Sequence, residues 1–178
     1  PFGQATKAIL LGGSKIPHAL IQKSIELNLP IHTSFGCSEM ASQVCTTSKE
    51  ATIYELMTTG KVLAGRQVKI DEDGRIQLNG KTRFLGYWQN QKLLKPFDKD
   101  GWFTTNDLGK FDNNGFLKVI GRADRMFISG GENIHPEQIE QALINLDLLK
   151  RNEEKLNADL SALTTQYAKQ RKDEKISA

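Results

Sequence analysis

Three short strings, Asp71-Glu72-Asp73-Gly74, Asp98-Lys99-Asp100-Gly101 and Asp112-Asn113-Asn114-Gly115, fix where the middle of this chain must reverse direction. Glycine after Asp or Asn adopts positive φ at no steric cost, so each string reads as a tight turn. Residues 66–70, 75–78, 102–103 and 116–120 flank these turns as short strands, and Asn79-Gly80 reads as a further turn. Punctuation this close predicts a β-rich subdomain over 51–121.

Upstream the texture differs. Lys7-Ala8-Ile9-Leu10-Leu11 is an apolar run stopped by Gly12-Gly13, which reads as a buried strand ending at a tight turn. Pro17 suits a first helical turn, and Ile16, Leu20, Ile21, Ile25 and Leu27 give an apolar stripe that ends at Asn28 and Pro30. Residues 30–35 then read as a second strand. This strand-turn-helix-strand order predicts part of a parallel α/β layer over 1–50, in which ligands gather at the carboxyl ends of the strands. From Pro136 the pattern is helical, with Ile139, Leu143, Leu146, Leu149, Leu156, Leu160, Leu163 and Tyr167 at mostly three- and four-residue steps, and Glu153 where one apolar residue is expected. A coiled coil, a helical hairpin and a single amphipathic helix lying on its own domain all fit the tail 136–178. The fold class expected is α/β: part of a parallel layer, a β-rich subdomain and a C-terminal helical segment.

At 178 residues the chain has room for one ordinary domain or two pieces of a larger one. No apolar run is long enough to span a bilayer and no signal-peptide pattern opens the chain, so the cytoplasm is expected. The two cysteines, Cys37 and Cys45, lack both a disulfide framework and zinc-site spacing and read as reduced thiols. A net charge of +3, with basic residues interleaved among acids, argues against a nucleic-acid surface and leaves small anionic ligands open. His18, His32 and His135 have neither ligand spacing nor a neighbouring nucleophile.

Three stretches hold residue types suited to a nucleotide. In 33–43, Phe35 offers a ring face for a purine, Gly36 allows close backbone approach, Ser38 has a hydroxyl for a phosphate oxygen, and Glu39 is a hard oxygen ligand for Mg²⁺. The plainer alternative makes Ser38 a helix cap and Glu39 a first-turn charge. In 101–109, Asp107, placed at a strand-loop junction, is suited to accept two hydrogen bonds from a ribose diol, or is simply a turn aspartate. In 119–140, Arg122, Asp124 and Gly130-Gly131 lie between an apolar strand and a helix start, which reads as a hinge and nucleotide-contact segment over 122–135. Residues 74–80 followed by 84–88 read as a hairpin leading to an aromatic-rich turn, and as scaffold.

Together and in this order, the stretches resemble the adenylate-forming superfamily of acyl-CoA synthetases, luciferases and peptide-synthetase adenylation domains, from Gly12 to about Leu143. The resemblance implies that Gly12, Gly13 and Ser14 line the adenine and acyl pocket, that Phe35 and Gly36 lie at the nucleotide, and that Ser38 and Glu39 meet phosphate and magnesium. It further implies that Asp107 binds the ribose, Arg122 reaches ribose or phosphate, Asp124 is the hinge, and Gly130, Gly131 and Glu132 border the CoA channel. Ser38, Glu39 and Arg122 are then the catalytic candidates, with ATP, Mg²⁺ and CoA as co-substrates and cofactor and a small carboxylic acid as the group transferred.

Within the superfamily, Gly12-Gly13-Ser14, the string from Ser34 through Ser42-Gln43 and the string 129–134 are most similar to the 2-succinylbenzoate-CoA ligase family of menaquinone biosynthesis, with Ser14, Ser42 and Gln43 on the substrate side. The family's lysine-containing phosphate loop and C-terminal catalytic lysine have no counterpart in these residues, and Asn106 stands where the family usually has glycine. An incomplete ligase with weak or no turnover on its own is therefore expected. The alternative is a non-catalytic, ligase-derived protein that assembles, as a homo-oligomer, through the C-terminal helix; a third reading transfers the acyl group to a carrier-protein thiol.

Overall fold

In the computed structural model, residues 6–129 and 132–176 are described. The chain divides into two units, Pro1–Glu137 and Gln138–Ala178.

The first unit opens with β1 (Ile9–Leu11), α1 (His18–Glu26) and β2 (Ile31–Cys37). β1 and β2 are parallel, in register from Ile9↔Ile31 to Leu11↔Thr33. Pro17 is the extended residue before α1, and its carbonyl accepts from the Leu20 and Ile21 amides. Of the expected apolar stripe, Ile21 is buried with Ile31 and Leu56, and Ile16 and Ile25 pack around them. Leu20 and Leu27 are instead exposed. A nine-residue helix lying over one strand pair is covered along a narrow line only, so an all-round reading of its apolar residues overcounts the core.

The parallel order stops at β2. β3 (Ser42–Thr46) and β4 (Lys61–Val62) join antiparallel, giving the order β1-β2-β3-β4. The reason is the short connection: a 3₁₀ turn at Ser38–Met40 links β2 to β3, and a parallel return needs a crossover of a dozen or more residues. α2 (Ile53–Leu56) precedes β4 and is started by a capping box. The Glu55 amide donates to Thr52 Oγ1 at 3.3 Å, and the Thr52 amide donates to Glu55 Oε2 at 2.6 Å.

A second sheet, wholly antiparallel, contains β5 (Arg66–Ile70), β6 (Arg75–Gly80), β9 (Phe103–Phe111) and β10 (Leu117–Arg122) in the order β10-β9-β6-β5. Between β6 and β9 lies the hairpin β7 (Tyr87–Gln89) and β8 (Lys92–Leu94), whose Asn90 and Gln91 both have positive φ, as a two-residue type I′ connection requires. The expected turn at Asn79-Gly80 is not there. Both residues pair with β5, Gln67↔Asn79 and Arg66↔Gly80, and the strand ends two residues later than the turn reading allowed.

The three Asp-to-Gly strings are one structure repeated. In each, the Asp carboxylate accepts from the backbone amides two and four residues on, at 2.7–3.0 Å. In each, the Gly amide donates to the Asp carbonyl at 3.0 Å, with glycine φ near +80°. These bonds close within five residues, so the loops are specified locally.

Phe35, Met40, Val44, Cys45, Ile76, Leu78 and Leu117 form the main core, drawing on both sheets. Burying each large apolar side chain contributes about 1.5–3 kcal/mol. β11 (Phe127–Ser129) and β12 (Glu132–Ile134) then pair antiparallel, and α3 (Pro136–Ile176) follows for 41 residues. Within the second unit, Leu143, Leu149, Leu156 and Leu160 are each at least 60 % exposed. No described helix is long and apolar enough to cross a membrane.

Candidate functional site

A groove of about 530 Å³ lies where β1 and β2 end. Gly12 follows β1 directly against β2: a Cβ there would sit 2.6 Å from Ser34 Oγ and 3.2 Å from the Ser34 carbonyl. Gly36 lies at a bulge in the β2–β3 ladder, and its Cβ would fall 2.3 Å from the Ser42 carbonyl oxygen. The expectation gave Gly36 to close approach of a ligand, whereas the close approach observed is that of the chain's own β3.

The far wall carries two residues in unusual backbone conformations. Ala41 has φ 56° and Ser42 φ 142°, conformations that cost L-residues of order 1–3 kcal/mol each and tend to occur where a site requires them. Arg66 braces this segment from the second sheet, its Nε donating to the Gln43 carbonyl at 2.5 Å and Nη1 to the Ala64 carbonyl at 3.2 Å.

Gly12, Gly13, Gly36, Ser38, Ser42 and Gln43, all named from the sequence, line the groove, joined by Leu10, Ser34, Cys37 and Ala41, which the sequence reading did not single out. Ser14 is not among the lining residues. Phe35 is 9 % exposed and packs in the main core, so its ring serves the fold as the structure stands.

Glu39 is carried by the 3₁₀ turn rather than by the opening of a helix. Its carbonyl accepts from the Phe84 amide at 2.7 Å, and its Oε1 accepts from the Tyr87 hydroxyl at 2.7 Å. Partial burial pushes the Glu39 carboxyl up, but the Tyr87 hydroxyl, its own backbone amide, the Cys37 thiol and the charge of Arg122 outweigh this and hold it below its ordinary value. Burial first, and then the charge and hydrogen bond of Glu39, push the Cys37 thiol up to about 12, which removes it as a nucleophile. Cys45 is fully buried and likewise pushed up to about 12.

Asp107 does not stand at a strand-loop junction. It lies inside β9 and pairs directly with Arg122 on β10. Arg122 Nη1 is 3.6 Å from Asp107 Oδ1, while Nε and Nη2 donate to Asp124 Oδ1 and Oδ2 at 2.9 and 2.6 Å. The hydrogen bonds and charge of Arg122 hold Asp124 below its ordinary value. For Asp107 burial dominates and raises the carboxyl; Arg122 opposes this, and the charges of Asp124 and Glu39 reinforce it. Asn106 touches the same group, its carbonyl accepting from the Ala123 amide at 2.7 Å and its Nδ2 reaching Asp124 Oδ2 at 3.4 Å. Glu39 thus feels Arg122 and Asp107 feels Glu39, which joins the groove to the ion-pair group electrostatically.

Gly130 and Gly131 lie outside the described residues, and Glu132 opens β12. Among the described residues no group of three or more His, Cys, Asp and Glu could hold a metal ion. A single carboxylate such as Glu39 still fits Mg²⁺, which keeps several waters and is commonly held by one or two carboxylates plus substrate phosphates rather than by an all-protein cage. Sequence reasoning missed Tyr87 and Arg66. Tyr87 carried a signal, an aromatic in a turn-rich stretch; Arg66 carried none.

No protein-family model matches the chain. It is 37 % identical over 148 residues to the 2-succinylbenzoate-CoA ligase of Bacillus licheniformis, a match covering 78 % of this chain and 31 % of that protein. Among solved structures, o-succinylbenzoate CoA synthetase from Bacillus subtilis in complex with the acyl-adenylate intermediate OSB-AMP is 34 % identical with a TM-score of 0.72, over 80 % of this chain and 31 % of the other. An Escherichia coli MenE structure with bound OSB-AMS is 37 % identical with a TM-score of 0.68, over 78 % and 30 %. The chain therefore spans about a third of the length of the relatives it matches.

Proposed function

Over about four-fifths of its length the chain belongs to the adenylate-forming ligase superfamily, and from that premise we propose that it is the acid- and nucleotide-binding portion of an ATP-dependent acid-CoA ligase acting on 2-succinylbenzoate. In the first half-reaction a substrate carboxylate oxygen attacks the α-phosphorus of ATP; the new O–P bond forms as the bond to pyrophosphate breaks. In the second, the CoA thiol gives up its proton to solvent, its sulfur forms a C–S bond to the acyl carbonyl carbon, the C–O bond to AMP breaks, and AMP leaves.

The observation that carries this reading is the groove itself. Serine hydroxyls and glycine backbone line it, and Glu39, next in the chain to the lining Ser38, interacts electrostatically with Arg122, which pairs with Asp107. On this reading Ser38 donates to phosphate, Asp107 accepts from the ribose hydroxyls, and Arg122 offers positive charge to ribose or phosphate. Ser42 and Gln43 face the acid, and Gly12, Gly13 and Gly36 border the nucleotide. Asp124 is the hinge, with Gly130, Gly131 and Glu132 beside the CoA path. Glu39 would hold Mg²⁺, which when bound neutralises phosphate charge. Fixed donors placed where charge develops contribute much of such a barrier, and removing one typically costs about two to three orders of magnitude in rate. The unit β1–α1–β2 would belong to a parallel α/β layer in the whole enzyme, located in the cytoplasm.

Calorimetric titration with a non-hydrolysable 2-succinylbenzoyl-adenylate analogue plus Mg²⁺ tests the reading. Binding near micromolar Kd, roughly 8 kcal/mol, that collapses in Asp107→Ala is expected. Absence of binding by a folded protein would overturn it.

A second reading rests on the exposed Leu143, Leu149, Leu156 and Leu160 of α3: the helix pairs with a second copy of itself. Concentration-dependent helicity, lost in Leu156→Asp, would support this, and helicity independent of concentration would exclude it.

A further inference from the structure

The carboxylate of Glu39 is gripped by a segment 48 residues away in sequence. The Phe84 amide holds its backbone carbonyl and the Tyr87 hydroxyl holds Oε1, both at 2.7 Å. Phe84 is itself wedged edge-on against Tyr87, Phe97 and Phe103, with ring centroids at 4.8, 5.4 and 5.2 Å. Phe103 is buried, so the cluster ties both contacts to Glu39 into the rigid second sheet. The β7–β8 hairpin is exposed along its length: Trp88 is 72 % and Tyr87 44 % exposed, and Leu93 and Leu94 are also exposed. One edge of the Tyr87 ring meets Phe84 and Phe103, while its hydroxyl is committed to one carboxylate oxygen.

A glutamate in water samples many rotamers, and a cation that relies on a single protein carboxylate must select one of them. We propose that Tyr87 is a positioning residue: its hydroxyl fixes one oxygen of Glu39 and leaves the other for a phosphate-bound divalent cation. Partners of metal-ligating groups that orient the ligand are typically worth about 10–100-fold in metal affinity. The inference rests on the ligase reading, which gives Glu39 its magnesium role.

The test is a Mg²⁺ titration of the whole chain with the non-hydrolysable β,γ-imido analogue of ATP, followed by calorimetry, alongside metal-free AMP binding and thermal melting. Tyr87→Phe keeps the ring and removes the hydroxyl. Expected are an unchanged melting temperature, unchanged AMP affinity and a Mg²⁺ requirement raised about tenfold. In a Glu39→Gln background, Tyr87→Phe should then have no further effect, because the group it orients is gone. An unaltered Mg²⁺ requirement in Tyr87→Phe would overturn the positioning role and leave the ligase reading standing, as would parallel losses of AMP and Mg²⁺ binding, which mark a merely structural role. Failure of the unmodified chain to bind either nucleotide would overturn the ligase reading and this inference with it.

Discussion

Asp107 and Arg122 are direct cross-strand partners on β9 and β10, and the same guanidinium turns its remaining nitrogens onto Asp124 two residues along. One cation thus spans the proposed ribose acceptor and the proposed hinge. Any ligand or movement that shifts one carboxylate changes the electrostatic environment of the other.

Replacing Arg122 with alanine is expected to weaken adenylate-analogue binding about 10- to 100-fold, since hydrogen bonds to charged groups contribute about 1.5–3 kcal/mol. Lysine should restore only part of this, because an ammonium cannot reproduce the fork that engages Asp124. Calorimetry on the two variants decides the matter; undiminished affinity in Arg122→Ala would remove the residue from the site.

Asp107 should show a conflict between stability and binding. Burial raises its folded-state pKa, so the fold favours the protonated acid. The resulting stability is present below the ordinary carboxylate range and is lost as pH rises through the raised value. Asp107→Asn, uncharged throughout, is therefore expected to melt higher than the unmodified chain at pH 7, with the difference vanishing near pH 3, while adenylate binding falls. A lower melting temperature at pH 7 would contradict this.

Gly36→Ala should destabilise the first unit by about 1–3 kcal/mol, because the new methyl would meet the Ser42 backbone rather than a movable side chain. Denaturant unfolding measures the loss directly. A near-neutral result would mean that β3 yields more readily than its strained Ala41-Ser42 pair suggests.

Cys37 should resist alkylation. With its thiol pushed up to about 12, the thiolate fraction at pH 8 lies roughly three orders of magnitude below that of an ordinary cysteine. Intact-mass measurement after iodoacetamide treatment should show slow modification, somewhat faster in Glu39→Gln, which leaves burial, the larger cause, in place and removes the charge that adds to it. Prompt reaction at Cys37 would count against the half-buried, Glu39-facing placement.

What the sequence disclosed follows the range of the interactions involved. The Asp71, Asp98 and Asp112 loops were readable because every bond in them closes within five residues. Serine and glycine in the groove were readable as types suited to phosphate, though the demand on Gly36 comes from Ser42 and not from a ligand. The antiparallel return of β3 follows from the length of the Ser38–Met40 connection, which the strand-helix-strand reading left out. Tyr87 and Arg66 were missed because they act on Glu39 and Gln43 from 48 and 23 residues away. Contacts of that reach exist only once the two sheets have met.

Hairpins whose reversal is written in five residues close within about 1–10 μs, whereas parallel strands must wait for the chain between them to order. The antiparallel sheet bearing Asp107 and Arg122 is therefore suited to early assembly, and the three-residue β1, which pairs in parallel with β2 across α1, to late docking. The segment docked last is also the one free to detach first, so the mouth of the groove would open by local fraying while the ion-pair sheet keeps its amide protons.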